Sequence, residues 1–331
     1  MKVSEMGEFG LIDLLTQKIT ESGTDRPATD WLITGIGDDT AAWHGDAAIQ
    51  LATVDTMIQD VHFSLETITW RELGWKSLAI NLSDIAAMGG VPQYALIALA
   101  LPVDTEVEAV TRLYEGIIEC AQGYNAAIVG GNVSLSPLIS ITITVFGSAP
   151  DNGILRRSAA RPDDMIAVTG YPGSAAAGME MLKRKLEFKP EETKYLRGAF
   201  LHPVPRIAEG QTLVKHGVTT AIDTSDGLIA DLRHICQASR VSARLDTSLL
   251  PVHDAIKKHF RKNALELALS GGEDYELLFT APAEVIDRLK ADIKCPISNI
   301  GKITAGRPGK IDLFDAKGNP VNIDKAGWTH F

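Results

Sequence analysis

Cysteine is scarce in this sequence, which has only three among 331 residues. Cys120, Cys236 and Cys295 are odd in number and far apart, so they fit neither a disulfide framework nor a CxxC metal site. None of them lies in a motif typical of a cysteine nucleophile. We therefore expect three reduced residues that serve packing.

Long hydrophobic runs are also absent. The longest, 94–101 and 139–146, are far shorter than the roughly 20 apolar residues that cross a bilayer. The start of the sequence shows no basic stretch, apolar block and small-residue cleavage site of the kind that marks a secretory signal. These absences predict a cytoplasmic protein that does not bind membranes.

Positive charge is in deficit. The sequence has 32 Lys and Arg against 42 Asp and Glu, which gives a formal net charge of −10. No basic patch interrupts this balance, and a chain of this charge repels phosphate backbones and anionic lipid headgroups. We therefore expect no nucleic acid partner.

Hydrophobic residues, in contrast, make up 45% of the sequence and charged residues only 22%, which is enough apolar material for a large core. The length predicts about two domains. Turn-forming residues are concentrated at 149–153, where the sequence is Ala-Pro-Asp-Asn-Gly. This segment separates a predicted N-terminal domain, 1–150, from a predicted C-terminal domain, 151–331.

Strands and helices alternate in both halves, which predicts an α/β fold in the broad sense that includes α+β. The apolar run at 94–101 predicts a strand buried on both faces, and Asp104 or Thr105 is the expected cap of the helix that follows. Ile139–Val145 alternates apolar with Ser and Thr, which predicts a half-buried strand. The other predicted elements are helices at 11–19, 71–88 and 175–186 and strands at 48–54 and 165–168.

The turn at 170–173 joins a predicted strand to a predicted helix, as a phosphate-binding turn does. It lacks the Walker lysine and the glycine spacing of a dinucleotide fingerprint. The favoured interpretation is a tight connection.

Aspartates stand at the ends of predicted elements, and taken singly each fits a turn or a helix cap. The set is Asp38, Asp39, Asp55, Asp84, Asp223 and Asp226. Asp84 is harder to explain, because it lies inside an apolar helical segment with no Lys or Arg between Lys76 and Arg112 to pair with it. A buried carboxylate needs a partner, and a divalent cation is one.

Carboxylates with few imidazoles and no cysteine pairs suit hard cations, so the expected metal is Mg²⁺. Mg²⁺ in turn indicates nucleotide phosphates. Gly130-Gly131-Asn132 follows an apolar run at 126–129, and backbone without side chains there would allow close approach of a phosphate or a base.

A second acidic segment, Gly271-Gly272-Glu273-Asp274-Tyr275-Glu276, precedes an apolar strand at 277–280. Two interpretations stay open from the residues alone. The segment is either a solvated turn or part of a substrate pocket whose carboxylates meet a cationic group.

Eight segments in the same order resemble the thiamine-monophosphate kinases, which belong to a superfamily that includes aminoimidazole ribonucleotide synthetase. They are 7–9, 35–39, 55–56 with 62–63, 81–89, 130–132, 223–228, 271–276 and 327–331. The resemblance spans almost the whole chain. It implies an N-terminal mixed-sheet domain of the aminoimidazole ribonucleotide synthetase type, a C-terminal α/β domain that closes over nucleotide and substrate, and a homodimer formed through the N-terminal domain.

The resemblance also implies an activity, the transfer of the γ-phosphoryl group of ATP to thiamine monophosphate to give thiamine diphosphate. Several Mg²⁺ ions would neutralise the phosphates. Direct in-line transfer needs no covalent protein nucleophile, because positioning and electrostatic stabilisation do most of the work in phosphoryl transfer.

Three groups of site residues follow by position from the resemblance. The implied metal ligands are Asp39, Thr53, the main-chain oxygen of Val54, Asp55, Asp84, Asn132, Asp223 and Asp226. The implied ATP contacts are Tyr114, Gly131, Asn132, Arg157 and Ser225. The implied substrate contacts are His62, Glu273 and Trp328, with a strand-edge role for His62 and a packing role for Trp328 as the alternatives.

Two residues depart from the family pattern. Asn132 replaces an aspartate, so it offers an amide oxygen to a metal but no charge. Val54 replaces a residue that is often a hydroxyl type, which matters only if the side chain is needed.

Two other classes of protein are alternatives to a thiamine-monophosphate kinase. The first is another ATP-using enzyme of the superfamily, such as aminoimidazole ribonucleotide synthetase, selenophosphate synthetase or a hydrogenase maturation factor. The absence of cysteine near either end of the sequence, and Asn132 in place of the synthetase's glutamate, argue against these. The second is a catalytically silent nucleotide or thiamine-phosphate binding protein, which would not need so many acidic ligands.

Overall fold

In a computed structural model, the chain forms two six-stranded sheets with helices packed on them. The structure describes residues 32–34, 38–39, 41–44, 49–149, 153–323 and 327. The predicted helix at 11–19, the predicted domain boundary at 150 and 151, and Trp328 lie outside the described residues. Among the described residues, no helix has the length and apolar character needed to cross a membrane.

The N-terminal sheet has the strand order β1-β2-β3-β6-β4-β5. Its strands are β1 Leu32–Thr34, β2 Ala41–His44, β3 Ile49–Ile58, β4 Val91–Leu101, β5 Ala127–Leu135 and β6 Ser140–Ala149. Neighbouring strands are antiparallel except β4 and β5, which are parallel. Two helices, α1 Trp70–Ala87 and α2 Val107–Gly123, belong to this half.

The C-terminal sheet has the order β12-β9-β11-β7-β10-β8, in which only β12 and β9 pair in parallel. Its strands are β7 Met165–Thr169, β8 Thr220–Asp223, β9 Ser242–Asp246, β10 Leu277–Ala281, β11 Ile297–Thr304 and β12 Ile311–Phe314. The helices of this half are α3 Ser174–Lys183, α4 Pro190–Leu201, α5 Ile207–Lys215, α6 Leu228–Ala238, α7 Asp254–His259, α8 Ala264–Ser270 and α9 Ala283–Asp292. The predicted α/β class in its broad sense, with a mixed N-terminal sheet, is confirmed.

Helix α1 is buried on almost every side, which explains why its sequence reads as apolar without a clear polar face. It begins at a capping box, in which Thr69 and Glu72 each accept from the other's backbone N–H. It stops before Gly89, whose φ of 73° is a left-handed conformation that glycine adopts without strain. The predicted helix at 71–88 is confirmed within one residue.

Helices α1 and α2 cross at a very short distance, because each has a glycine at the crossing. A Cβ on Gly74 would lie 1.9 Å from the carbonyl oxygen of Leu113, and one on Gly116 would lie 1.9 Å from that of Arg71. The two backbones therefore touch directly, and this contact fixes α1 against its own sheet.

We expect Gly74→Ala to lower the free energy of unfolding by about 1–3 kcal/mol, because the added methyl group forces the two helices apart. Gly123→Ala is the matched control at the end of α2, where a Cβ would meet nothing within 4 Å, and should be neutral or slightly stabilising. Urea unfolding followed by circular dichroism measures both variants. Equal unfolding midpoints would show that the helices are not in close contact.

Two predictions about this half are wrong. Strand β4 is not buried on both faces, since Tyr94 is 50% exposed while its neighbours alternate between buried and exposed. Among the described residues, the helices of this half cover one face of the sheet, and the other face carries the exposed side chains of β4. The cap of α2 is Glu106, without a side-chain hydrogen bond, rather than Asp104 or Thr105.

Helix α1 also joins the two halves. Glu72 pairs with Arg197 at 2.6 Å, and the Trp75 indole N–H donates to the carbonyl of Pro203 at 3.0 Å. Further along, a Cβ on Gly210 of α5 would lie 2.1 Å from the carbonyl oxygen of Ala86. The C-terminal half is thus packed along the whole length of α1, and the residues between the two sheets are held by this helix.

Candidate active site

Three aspartates from distant parts of the chain meet beside α1. Asp39 lies between β1 and β2, Asp84 lies near the end of α1, and Asp223 is the last residue of β8. One carboxylate oxygen from each lies within 4.8 Å of the others. This is the group of aspartates that the sequence singled out, brought together by the contact of both sheets with one helix.

Short hydrogen bonds hold the cluster. The Thr53 hydroxyl donates to Asp84 Oδ2 at 2.5 Å, and the Ser83 hydroxyl donates to Asp223 Oδ2 at 2.7 Å. Asp39 is paired with the guanidinium of Arg157. Ser83 was not predicted as a site residue, although it precedes Asp84. On a helix, neighbouring residues point in directions about 100° apart, so Ser83 reaches the C-terminal sheet while Asp84 faces β3.

Asp55 on β3 completes the acidic group. Its backbone N–H donates to the Asn81 side chain at 3.0 Å, which attaches β3 to α1 one turn before Asp84. Asn81 is fully buried and also was not predicted. Only its place within the segment 81–89 pointed to it.

Burial, which the Arg157 charge offsets only in part, makes these carboxyls hard to ionise. Burial, followed by repulsion from Asp226 and Asp39, raises the pKa of Asp55 to about 6. Burial and the Asp39 charge raise the pKa of Asp223 to about 8. Burial, Asp55 and Asp223 raise the pKa of Asp84 well above its usual range. A cluster of this kind binds cations strongly, because a cation removes both the repulsion and the cost of burial.

The residues present fit Mg²⁺. All the donors are carboxylate or hydroxyl oxygens, which is the ligand set of a hard divalent cation. Asp39 Oδ2 is buried and has no hydrogen-bond partner, so one acceptor in the cluster is available to a ligand.

A cavity of about 1120 Å³ opens from the aspartates and extends between the two halves. The predicted site residues on its wall are Asp55, His62, Asp84, Asp223, Ser225, Asp226 and Glu273. Its wall also includes Ile80, Phe200 and Tyr275, and residues of α3 and α8 such as Lys183 and Glu266. Acidic groups therefore occupy one end, and a mixed apolar and charged wall occupies the rest.

His62 is on this wall, at the end of β3. Its Nδ1 accepts the backbone N–H of Ile58 at 3.0 Å, so the neutral ring carries its proton on Nε2. The hydrogen bond fixes the ring against the strand. The position of His62 agrees with both of its interpretations, a residue at the edge of a strand and a substrate contact, because it follows β3 closely and also lines the cavity.

The three acids of 273–276 have different partners. Asp274 accepts the N–H groups of Gly173 and Ala175 at 2.6 and 2.9 Å, and so caps α3. Glu276 accepts from Nε and Nη2 of Arg206 at 2.7 and 2.5 Å. Only Glu273 remains on the cavity wall. The segment is therefore neither a simple solvated turn nor a pocket of three acids.

The cap by Asp274 also distinguishes the two interpretations of the turn at 170–173, a phosphate-binding turn and a tight connection. The free N–H groups at the start of α3 are occupied by a carboxylate of the same chain. These contacts support the tight-connection interpretation of this turn, because two N–H groups that could bind a phosphate here already donate to Asp274.

Seven of the predicted residues that the structure describes are not on the cavity wall. Asp39, Thr53 and Arg157 belong to the hydrogen-bonded carboxylate cluster, and the other four lie elsewhere in the N-terminal half. The Val54 side chain is 58% exposed on the opposite face of β3 from Thr53, which leaves only its main-chain oxygen for a metal. Tyr114 is part-buried on α2 against the hydrophobic core. Gly131 and Asn132 are on β5, the edge strand of the N-terminal sheet.

The position of Asn132 has a consequence for metal binding. The strand register runs from Asn132 to Ala98, then to Thr142 and then to Thr56, the neighbour of Asp55. Three strand spacings amount to about 14 Å. Within one chain, the sheet therefore does not bring Asn132 to an ion that Asp55 and Asp84 would bind, and the role of Asn132 as a ligand of one of several Mg²⁺ ions stays a prediction.

Family comparison identifies both halves. Residues 37–149 match the family described as AIR synthase related protein, N-terminal domain, and residues 161–313 match the corresponding C-terminal domain. The chain is 39% identical over 331 residues to thiamine-monophosphate kinase of Escherichia coli K12, with 98% of each chain covered. It is 36% identical over 336 residues to thiamine-monophosphate kinase of Bacillus subtilis 168, with 98% of this chain and 100% of the relative covered.

Solved structures give the same result. AaThiL complexed with AMPPCP and TMP superimposes with a TM-score of 0.86 at 34% identity and covers 100% of this chain and 99% of its own. Thiamine-monophosphate kinase from Stenotrophomonas maltophilia K279a gives 0.76 at 33% identity, with 93% and 96% covered. A hydrogenase maturation protein HypE in complex with ATP gives 0.69 at 16% identity, which shows the shared fold alone.

Proposed function

The chain belongs to the AIR synthase related family and, within it, to the thiamine-monophosphate kinases, and we propose that it transfers the γ-phosphoryl group of ATP to thiamine monophosphate, giving thiamine diphosphate. The observation that carries this proposal is the carboxylate cluster at one end of a 1120 Å³ cavity. The volume of this cavity slightly exceeds the roughly 300–1,000 Å³ of a typical ligand pocket. A cytoplasmic location, where ATP is available, is part of the proposal.

Mg²⁺ is the expected metal cofactor. The residues that would hold it are Asp39, Asp55, Asp84, Asp223 and Asp226, with Thr53 and the main-chain oxygen of Val54. When bound, it would neutralise the negative charge of the phosphates. Asn132 belongs to this set only if a second chain supplies it.

The chain's own groups would then orient two phosphates for in-line transfer. The accepting oxygen belongs to a phosphate that is ionised at neutral pH, so neither a protein nucleophile nor a general base is needed. Arg157 is paired with Asp39, and a cation bound to Asp39 would free the guanidinium for the nucleotide phosphates. Ser225 lies beside Asp226 on the wall and supplies a hydroxyl donor.

The other end of the cavity suits the organic part of the substrate. Ile80 and Phe200 offer apolar contact, and Glu273 offers a carboxylate to a cationic or N–H-bearing ring. His62 is fixed by its bond to Ile58 and presents the rest of its ring to the cavity. Binding of the ring here would leave the substrate phosphate directed toward the aspartates.

A homodimer through the N-terminal sheet is the proposed assembly. The sheet face that the helices leave open carries exposed apolar side chains, which is unusual for a monomer and typical of an interface. They are Val54, Tyr94 and Leu96. The edge strand β5 adds the exposed residues Val129, Val133 and Leu135, and it also carries Gly131 and Asn132. A second chain on this face would supply those two residues to the site of the first.

The metal-free protein is expected to lose stability as the pH rises from about 5 to about 8. The folded pKa values of Asp55 and Asp223, about 6 and about 8, lie above the ordinary value of 3.8. A raised folded pKa contributes stability that is complete below the unfolded pKa and is lost as the pH rises through the folded pKa, because the folded state must then bury the charge. Bound Mg²⁺ offsets that loss.

Thermal unfolding in EDTA and in Mg²⁺ measures this dependence. In EDTA, Tm should fall by about 5 °C or more between pH 5.5 and pH 8.5, and added Mg²⁺ should recover most of the loss at the higher pH. A Tm in EDTA that stays constant over this range would contradict raised pKa values in the carboxylate cluster.

The direct test of function is Mg²⁺-dependent formation of thiamine diphosphate from thiamine monophosphate and ATP, followed by chromatography. Product formed in proportion to enzyme supports the proposal. ATP consumed only with an aminoimidazole precursor or selenide would place the chain elsewhere in its superfamily. Binding of ATP and thiamine monophosphate without turnover would make it a silent binding protein.

A further inference from the structure

Lys76 is a buried cation in the first half of α1. Its side chain is only 1% exposed, and a lysine is rarely buried to this extent without a partner. Its Nζ lies 2.7 Å from Glu273 Oε1 and 3.7 Å above the centre of the Phe200 ring. Burial lowers the pKa of Lys76, and the Glu273 carboxylate opposes that effect. The amine is therefore placed for a charged hydrogen bond to a residue of the cavity wall.

Glu273 is constrained at its backbone as well. It is a non-glycine residue with φ of 67°, in the left-handed region, and its N–H donates to the carbonyl of Ser225 at 2.7 Å. Such a conformation persists only where the surroundings hold it. Its side chain is 31% exposed toward the cavity, so with Oε1 bound to Lys76, Oε2 is the oxygen left for a ligand.

The same helix carries both ends of the site. Lys76, Ile80 and Asp84 follow at four-residue intervals; Ile80 and Asp84 line the cavity, and Lys76 contacts its wall residue Glu273. At 1.5 Å per residue, Lys76 and Asp84 are separated by about 12 Å along the axis. The carboxylate cluster and Glu273 are therefore fixed to one rigid element, which sets the distance between them.

We propose that Lys76 is a positioning residue for the acceptor substrate, which holds Oε1 of Glu273 so that Oε2 is directed at the cationic or N–H-bearing ring of thiamine monophosphate. This inference rests on the proposed function, since it needs the ring to bind beside Glu273. Lys76 acts through Glu273 and does not touch the phosphates. Its loss should thus weaken binding of the acceptor and leave the handling of ATP unchanged.

The test is steady-state kinetics on Lys76→Met, Glu273→Gln and the double variant, with Lys215→Met as the matched control on the surface of α5. Lys76→Met should raise KM for thiamine monophosphate about 10-fold or more, as expected for loss of one charged hydrogen bond. KM for ATP should stay within about twofold. The double variant should be no worse than Glu273→Gln alone, because both changes remove one interaction. Lys76→Arg, which keeps the charge, should recover part of the affinity.

Three results would overturn the inference: an unchanged KM for thiamine monophosphate in a folded Lys76→Met, equal rises in both KM values, or losses that multiply in the double variant. If Lys76→Met fails to fold by circular dichroism, Lys76→Gln takes its place, since it keeps a donor but no charge, and the same pattern is expected. No turnover of thiamine monophosphate by the wild type would instead overturn the proposed function, and the inference with it.

Discussion

Asp84→Asn should reduce kcat/KM for thiamine diphosphate formation by about a thousandfold or more, the range seen when a main electrostatic contact of a transition state is removed. Asn keeps the shape of the side chain and its hydrogen bond from Thr53, but it removes the negative charge from the centre of the cluster. Since Asp55 and Asp223 are both close to Asp84, the remaining acids would hold a cation with less charge and poorer geometry.

The same change should raise the Tm of the metal-free protein. Burial and two neighbouring carboxyls raise the pKa of Asp84 well above its usual range, so the folded metal-free protein is destabilised by this group. Asparagine removes that cost. A variant that is both more stable and inactive is the combination expected of a residue kept for ligand binding and not for folding.

Two measurements check this prediction, a turnover assay at saturating Mg²⁺ and thermal unfolding in EDTA. Asp292→Asn is the matched control, because Asp292 is exposed and lies on α9, outside the cavity wall. Its turnover should equal that of the wild type. Activity of Asp84→Asn above about a tenth of the wild type would show that the cluster is not the metal centre.

The acidic residues of the site were predictable from the sequence because burying a carboxylate without a partner costs free energy. Asp84 lies in an apolar helix without a local basic partner, and only a ligand or a distant residue explains such a position. The strand Ser140–Ala149 was predictable for a similar reason, since strict alternation has one structural meaning.

Partners that are distant in the sequence were not predictable. Lys76 was noted only as the last basic residue before Asp84, and its partner is Glu273. In the sequence, Glu273, Asp274 and Glu276 form one acidic segment. In the structure, Asp274 accepts the N–H of Gly173, and Glu276 accepts from Arg206. No local pattern carries that information, because it depends on which strands of the C-terminal sheet become neighbours.

Strand order also explains why the position of Asn132 was not predictable and why the prediction for β4 is wrong. The order β3-β6-β4-β5 is not sequential, so a residue on β5 cannot be placed relative to β3 without the sheet. The sequence of an apolar strand such as β4 does not show whether its second face is covered by its own chain or by another chain. The open face of β4 and the distance of Asn132 from the cluster are thus two consequences of one arrangement.

Subunit mixing should separate a shared site from one that a single chain completes. Asp84→Asn and Asn132→Lys are each expected to be inactive as homodimers, the first for the reason given above and the second because a cation at 132 repels Mg²⁺. In a mixed dimer, one site would combine the intact aspartates of one chain with the intact Asn132 of the other. Random mixing should then restore about a quarter of the wild-type activity, since half of the dimers carry one intact site of two.

The activity of the mixed dimers depends on which chain supplies Asn132 to the site. If Asn132 acts in the site of its own chain, every site in a mixed dimer lacks either Asp84 or Asn132, and mixing restores nothing. The control is a mixture of Asp84→Asn with Asp223→Asn, two residues of the same cluster, which should remain inactive under either arrangement. Two different affinity tags, one on each variant, allow the mixed dimers to be isolated by two successive purifications and show that they have formed. Restored activity in the first mixture alone would place β5 of one chain at the aspartates of the other, which accounts for both the exposed apolar face and the 14 Å separation.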